Sequence, residues 1–87
     1  MRAPLAFDNA ALQGRVAVVT GASGGLGLAI CQHLGAIGAR VVQADISHAA
    51  TPTEADGLLS VHCAIAEPAT VAAMAALTRS RFGRCDV

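Results

Sequence analysis

The 87-residue sequence contains no lysine, no tyrosine and no tryptophan, and its aromatic side chains are two phenylalanines. A core made from it must be packed from Ala, Val, Leu and Ile. Any chemistry that needs a phenol or a primary amine side chain lies outside these residues. Charge is scarce too: six Arg balance six acidic residues. Such a balance leaves no footprint for a nucleic acid or an anionic membrane surface. Cys31, Cys63 and Cys85 stand 32 and 22 residues apart. An odd number of cysteines, without C-x-x-C or Cys/His spacing, implies neither a disulfide framework nor a metal site. Free thiols suit a reducing compartment, so a cytoplasmic location is expected. The longest uncharged stretch, Val16 to Ala39, is broken by six glycines and by Gln32-His33, so no membrane span is expected. The opening MRAPLAFDN has no extended apolar run and does not read as a signal peptide.

What is present is one dense stretch, RVAVVTGASGGLGLAICQHLGAIGARVVQAD, from Arg15 to Asp45. Val16 to Val19 form a short apolar run, as in a parallel strand buried on both faces. Gly21, Gly24, Gly25 and Gly27 crowd the turn that follows. An apolar stripe through Leu26, Ile30, Leu34 and Ile37 then has helical spacing. Gly38 sits where a helix ends in a left-handed residue, and Val41-Val42 begin a second strand. Asp45 closes that strand twenty residues beyond Gly25. An acid at about that distance accepts hydrogen bonds from a ribose in dinucleotide-binding units.

The loop chemistry follows from what a pyrophosphate needs. Two phosphates must approach backbone N–H groups at a helix N-terminus, where unpaired donors and the helix dipole favour an anion. Gly21 permits the sharp turn out of the strand, Gly25 lets the backbone reach a ligand, and Gly27 allows close packing at the start of the helix. Ser23 offers a hydroxyl either to cap the helix or to bond the ligand. The candidate cofactor contacts are therefore Gly21, Ser23, Gly24, Gly25, Leu26 and Gly27, with Asp45 and Ile46 at the end of the second strand. A carboxylate at Asp45 accepts from the ribose hydroxyls of NAD and repels the 2′-phosphate of NADP. Ile46 supplies no base to reverse that choice, and Arg40 stands at the far end of its strand. NAD is expected over NADP.

The spacing Thr20-Gly21-x-x-x-Gly25-x-Gly27 resembles the TGxxxGxG motif of the short-chain dehydrogenase/reductase family. GRVAVVTGASGGLG, GARVVQADI and FGRCDV fall in that family's order, so the resemblance spans Gly14 to Val87. It implies an α/β fold: a partial Rossmann-like, doubly wound parallel sheet of three strands plus the start of a fourth, in the order 3-2-1-4, with two main helices. It also implies that Ala64 and Ile65 flank the adenine. The family usually has an Asp at the position of Ala64, so only backbone and packing remain there, and a weaker grip is expected. The family's catalytic Ser and its Tyr-x-x-x-Lys pair belong to later strands, and no catalytic residue is assigned in this chain. The resemblance therefore implies the NAD-binding part of an oxidoreductase that exchanges hydride with an alcohol or carbonyl, with these residues alone inactive. Homo-oligomers would concern only the full-length form. The alternatives are a small nucleotide-binding or subunit-association protein, or a functionless truncated product.

The rest of the chain reads simply. Met1 to Gln13 is a flexible arm, and 14–87 an incomplete NAD-binding domain. Ser47 to Gly57 is a polar connector, a loop with at most a turn of helix. Leu58 to Cys63 is the third strand, and His62 on it is structural. Glu67-Pro68 opens the second helix, with Val71, Met74 and Leu77 buried, Phe82 packing at its end and Gly83 stopping it. Cys85-Asp86-Val87 begins a fourth strand. Truncated there, it would leave the outer edge of the first strand largely unpaired, an aggregation hazard.

Overall fold

The computed structural model describes residues 11–49, 51–55 and 57–87. The elements are β1 (Val16–Thr20), α1 (Gly25–Ala36), β2 (Arg40–Asp45), β3 (Thr53–Ala55), β4 (Leu58–His62) and α2 (Pro68–Phe82). The sheet has the order β1-β2-β4-β3. β1, β2 and β4 are parallel, with Val18 opposite Val42 and Val42 opposite Leu59. This is the expected doubly wound core, because alternate side chains of β2 serve opposite faces. Val41 joins Cys31, Ala22 and Ala39 beneath α1, while Val42 and Ala44 join Leu59, Val61 and Met74 beneath α2.

Three expectations fail within this frame, the third at the outer edge of β1. The connector between β2 and β4 is not all loop: Thr53–Ala55 forms β3, antiparallel to β4, with Thr53 opposite Ser60 and Ala55 opposite Leu58. The dipeptide Asp56-Gly57 is the usual sequence signal for a two-residue hairpin. Gly57 takes φ of +79°, as such turns require. Asp56 itself is outside the described residues. The sheet is therefore mixed, with a parallel core and one antiparallel edge.

The second failure is the first half of the apolar stripe of α1, since Leu34 does pack against the core beneath the helix. Leu26 is 77% exposed and Ile30 41%, whereas Cys31 is fully buried. The cause is Gly27. A Cβ there would run into the Gly21 carbonyl oxygen and meet the Ala22 Cα. The helix is thus pressed onto the loop along the Gly27 side, and Cys31, one turn on, follows that side into the core. Leu26 and Ile30 each precede these by one residue, about 100° around the helix, and face outward.

α2 matches expectation at Met74, Val71, Leu77 and Phe82. The most buried side chain on this helix is Thr78, 1% exposed, whose hydroxyl donates to the Met74 carbonyl at 2.8 Å. Gly83 ends the helix with φ of +80°.

The start of the fourth strand is placed where the order 3-2-1-4 requires. Val87 N–H donates to Val16 O at 3.2 Å, and Val18 N–H donates to Val87 O at 2.9 Å. These bonds straddle Ala17 as a parallel neighbour's do. The outer edge of β1 is therefore paired at Val16 and Val18, not bare. Asp86 secures it: its carboxylate accepts from Val16 N–H at 2.9 Å and from the Arg84 guanidinium at 2.7 and 2.8 Å. Those bonds, Arg84 first, draw the Asp86 carboxyl down to about 2. Of the expected N-terminal arm, residues 1–10 lie outside the described residues. Leu12 N–H donates to Ile37 O at 2.9 Å, and its side chain packs under α1.

Candidate functional site

Parallel strands direct all their C-terminal ends to one side of the sheet, and that is where ligands bind in such folds. β1 arrives there at Thr20 and turns at Gly21, whose φ of +65° suits glycine. Ala22 N–H bonds Ala44 O at 3.2 Å and Gly24 N–H bonds Gly21 O at 3.2 Å, which tightens the loop. α1 then starts with Gly24 as its N-cap, without a side-chain cap and without an acidic residue in the first turn. The first ladder bond runs from Leu28 N–H to Gly24 O. The N–H groups of Gly25, Leu26 and Gly27 precede it, and they are the unpaired donors every helix presents at its start. A Cβ on Gly25 would meet nothing within 4 Å. Gly27 is thus required by packing, whereas the space in front of Gly25 is open to a ligand.

Ser23 does not cap the helix. Its N–H donates to Asp45 Oδ2 at 3.2 Å and its hydroxyl pairs with the Ser47 hydroxyl at 2.7 Å. Ser47 uses its own hydrogen on Asp45 Oδ1, 2.8 Å away, and its backbone N–H bonds the same oxygen at 2.9 Å. A hydroxyl carries one hydrogen, so Ser23 must be the donor between the two serines. These donors, the Ser47 N–H foremost, hold the Asp45 carboxyl well below the usual carboxylate range. All of them are neutral. Asp45 therefore stays ionised and keeps its full negative charge at the strand end.

Beside Asp45 opens a cleft of about 270 Å³, lined by Gly21, Asp45, Ile46, Cys63, Ala64, Ile65 and Ala66. Ile46 and Ile65 are each 68% exposed and both line this largely apolar slot. Ala64 N–H donates to Thr70 Oγ1 at 3.0 Å, and Ala64 O accepts from Thr70 Oγ1 and Glu67 N–H. Its backbone is thus engaged by the start of α2, and what it offers the slot is a methyl surface.

Of the sequence candidates, Gly21, Asp45, Ile46, Ala64 and Ile65 line this cleft and Ser23 is bonded to Asp45, whereas Gly24, Gly25, Leu26 and Gly27 form the start of α1 and are not part of the lining. Ser47 was missed. The signal was available, since an Asp followed two residues later by a backbone donor is the usual Asx turn. Cys31 and Cys63 are buried and Cys85 is exposed, all as free thiols. Burial pushes the Cys31 thiol up, which suits an inert packing role. Among the described residues, no helix is long and apolar enough to cross a membrane.

The family model described as short chain dehydrogenase matches residues 15–87. The chain belongs to the short-chain dehydrogenase family. An uncharacterized oxidoreductase of Mycobacterium bovis is 40% identical over 82 residues, a match that covers 87% of this chain and 33% of the relative. An NADPH-dependent aldehyde reductase 2, chloroplastic, of Arabidopsis thaliana is 51% identical over 45 residues, covering 52% of this chain and 15% of its own. Among solved structures, a 3-ketoacyl-(acyl-carrier-protein) reductase from Brucella melitensis, complexed with NADH, superposes with a TM-score of 0.79. It is 33% identical, and the match covers 87% of this chain and 33% of that one. The chain thus spans about a third of the length of the relatives it matches.

Proposed function

We propose that these residues form the NAD-binding part of an alcohol or carbonyl oxidoreductase. The observation that carries the reading is the pairing of two features at one strand end: a helix start free of acid and side-chain caps, and an ionised Asp45 served only by neutral donors. The first suits a pyrophosphate, held by the N–H groups of Gly25, Leu26 and Gly27 across the open space at Gly25. The second suits ribose hydroxyls, and Ile46 and Ile65 supply apolar walls for an adenine. The Brucella reductase, complexed with NADH, supports a nicotinamide cofactor.

Preference for NAD over NADP rests on charge. A 2′-phosphate would have to sit against the Asp45 carboxylate, and among the described residues no Arg pairs with it. The NADPH-dependent Arabidopsis relative makes this a necessary test rather than a formality. When bound, the nicotinamide supplies the hydride chemistry. These 87 residues hold and orient it but contain no Tyr or Lys to move the substrate's proton. They bind without turning over.

Calorimetric titration of the purified chain with NAD, NADP and ADP-ribose tests the reading. Binding of NAD and ADP-ribose, with NADP at least about tenfold weaker, is expected. Equal or tighter binding of NADP would remove the preference, and failure of all three would remove the nucleotide site. Oxidoreductase activity is assigned to the whole protein and is checked by following NADH formation with a panel of alcohols.

A further inference from the structure

The turn that carries Ile46 and Ser47 is gripped from a neighbouring strand. Asp45 O accepts from His48 N–H at 3.3 Å, which makes residues 45 to 48 a tight turn. Ile46 and Ser47 are both exposed, so no apolar packing holds it in place. His62 ends β4 directly opposite Asp45 in the parallel pairing. Its Nδ1 lies 3.1 Å from Ile46 O and 3.2 Å from His48 O. Carbonyl oxygens only accept, so Nδ1 carries a hydrogen and shares it between the two. A neutral ring is thereby fixed with Nε2 bare, and an imidazolium keeps the same donor.

Resting on the nucleotide reading above, we infer that His62 is a positioning residue for the adenosine end of the cleft. Its side chain is not part of the cleft lining. It fixes the turn backbone, and the turn in turn aims both Ser47 donors at Asp45 Oδ1 and sets Ile46 as one wall of the slot. Without this grip Asp45 is still held, its carbonyl by Cys63 N–H and its carboxylate by Ser23 N–H, but the backbone beyond it loses its hold on β4, and Ile46 and Ser47 move together.

The test compares the wild-type chain with His62→Leu and His62→Asn, whose amide nitrogen can lie where the ring Nδ1 does. In His62→Leu, affinity for ADP-ribose is expected to fall about tenfold, as for loss of a hydrogen bond shared between two acceptors. Affinity for inorganic pyrophosphate, which engages only the start of α1, is expected to hold, and His62→Asn should restore most of the ADP-ribose binding. Unchanged ADP-ribose affinity in His62→Leu overturns the inference, as does an equal loss of pyrophosphate, which a merely structural role would produce. A wild-type chain that binds neither probe overturns the nucleotide reading itself, and the role of His62 with it. Should His62→Leu fail to fold, long-range proton–nitrogen NMR on the wild-type ring decides: hydrogen on Nδ1 is expected, and hydrogen on Nε2 alone is fatal to the inference.

Discussion

Two aspartates sit at opposite ends of β1, and both are held as carboxylates by hydrogen bonds. At the end where β1 begins, Asp86 accepts from Val16 N–H and is met by Arg84 and Arg15. At the end where β1 turns into the loop, Asp45 accepts only from the neutral donors of Ser23 and Ser47. The first carboxylate is neutralised and serves to fasten a strand. The second retains its charge beside a cleft. A lowered pKa therefore does not by itself distinguish a binding group from a fastening one; the presence or absence of a counter-charge does.

The largest effect that would break this contrast is on ligand affinity. Asp45→Ala should weaken NAD binding by about tenfold or more and narrow the gap to NADP, since it removes charged acceptors from the ribose and the repulsion from a 2′-phosphate together. Asp86→Ala, measured in the same titration, should leave NAD affinity unchanged. Similar losses in both variants would erase the distinction.

Next in size is the same contrast drawn between two glycines of the loop. Gly27→Ala forces a methyl against the Gly21 carbonyl and should cost about 1–3 kcal/mol in a denaturant titration, the range for overpacking a close contact. Gly25→Ala meets nothing, and alanine is the better helix former, so stability should hold or rise by up to about 1 kcal/mol while NAD affinity falls. A Gly25→Ala chain that binds NAD as the wild type does would show that the open space is not where the ligand approaches.

Smaller still is the fastening itself. Asp86→Ala should lower the thermal midpoint by roughly 5 °C. The pH dependence has a definite sign. The Asp86 carboxyl titrates at about 2 when folded and at about 3.9 in an unfolded chain. Its contribution is complete above the unfolded value and is lost as pH falls from about 4 through about 2. Protection of the Val16 and Val18 amides, taken relative to their intrinsic exchange rate at each pH, should fall down that range in the wild type and show no such fall in Asp86→Ala. Wild-type protection that persists to the bottom of the range would mean the strand is held by something other than this carboxylate.

Much of the candidate site's placement was legible because its requirements are local. A glycine loop, a helix start and an acid at a fixed distance all follow from consecutive residues, and Gly21, Gly25, Gly27 and Asp45 stand where their spacing put them. Helix rotation was not legible. Leu26 and Ile30 have the right periodicity for a core face, but a steric contact between Gly27 and Gly21 turns them outward, and periodicity carries no information about a contact with backbone. Thr78 was overlooked for a related reason: its hydroxyl finds the Met74 carbonyl one turn back, so a polar side chain enters the core without a distant partner. The grip of His62 on the turn joins residues 14 and 16 positions apart. No pattern in the sequence marks such a pair, and only the register of β2 and β4 brings it together.

The bond from Val16 N–H to Asp86 spans 70 residues of chain. During synthesis at 5–20 residues per second, the first strand would wait roughly 4–14 s for that partner to be made. Through this interval β2 can pair on one side while the amide and carbonyl groups on the other stay bare. The newborn chain therefore passes through a stage in which its most apolar strand presents an open edge, and the translation rate across the residues between Val16 and Asp86 sets how long that exposure lasts.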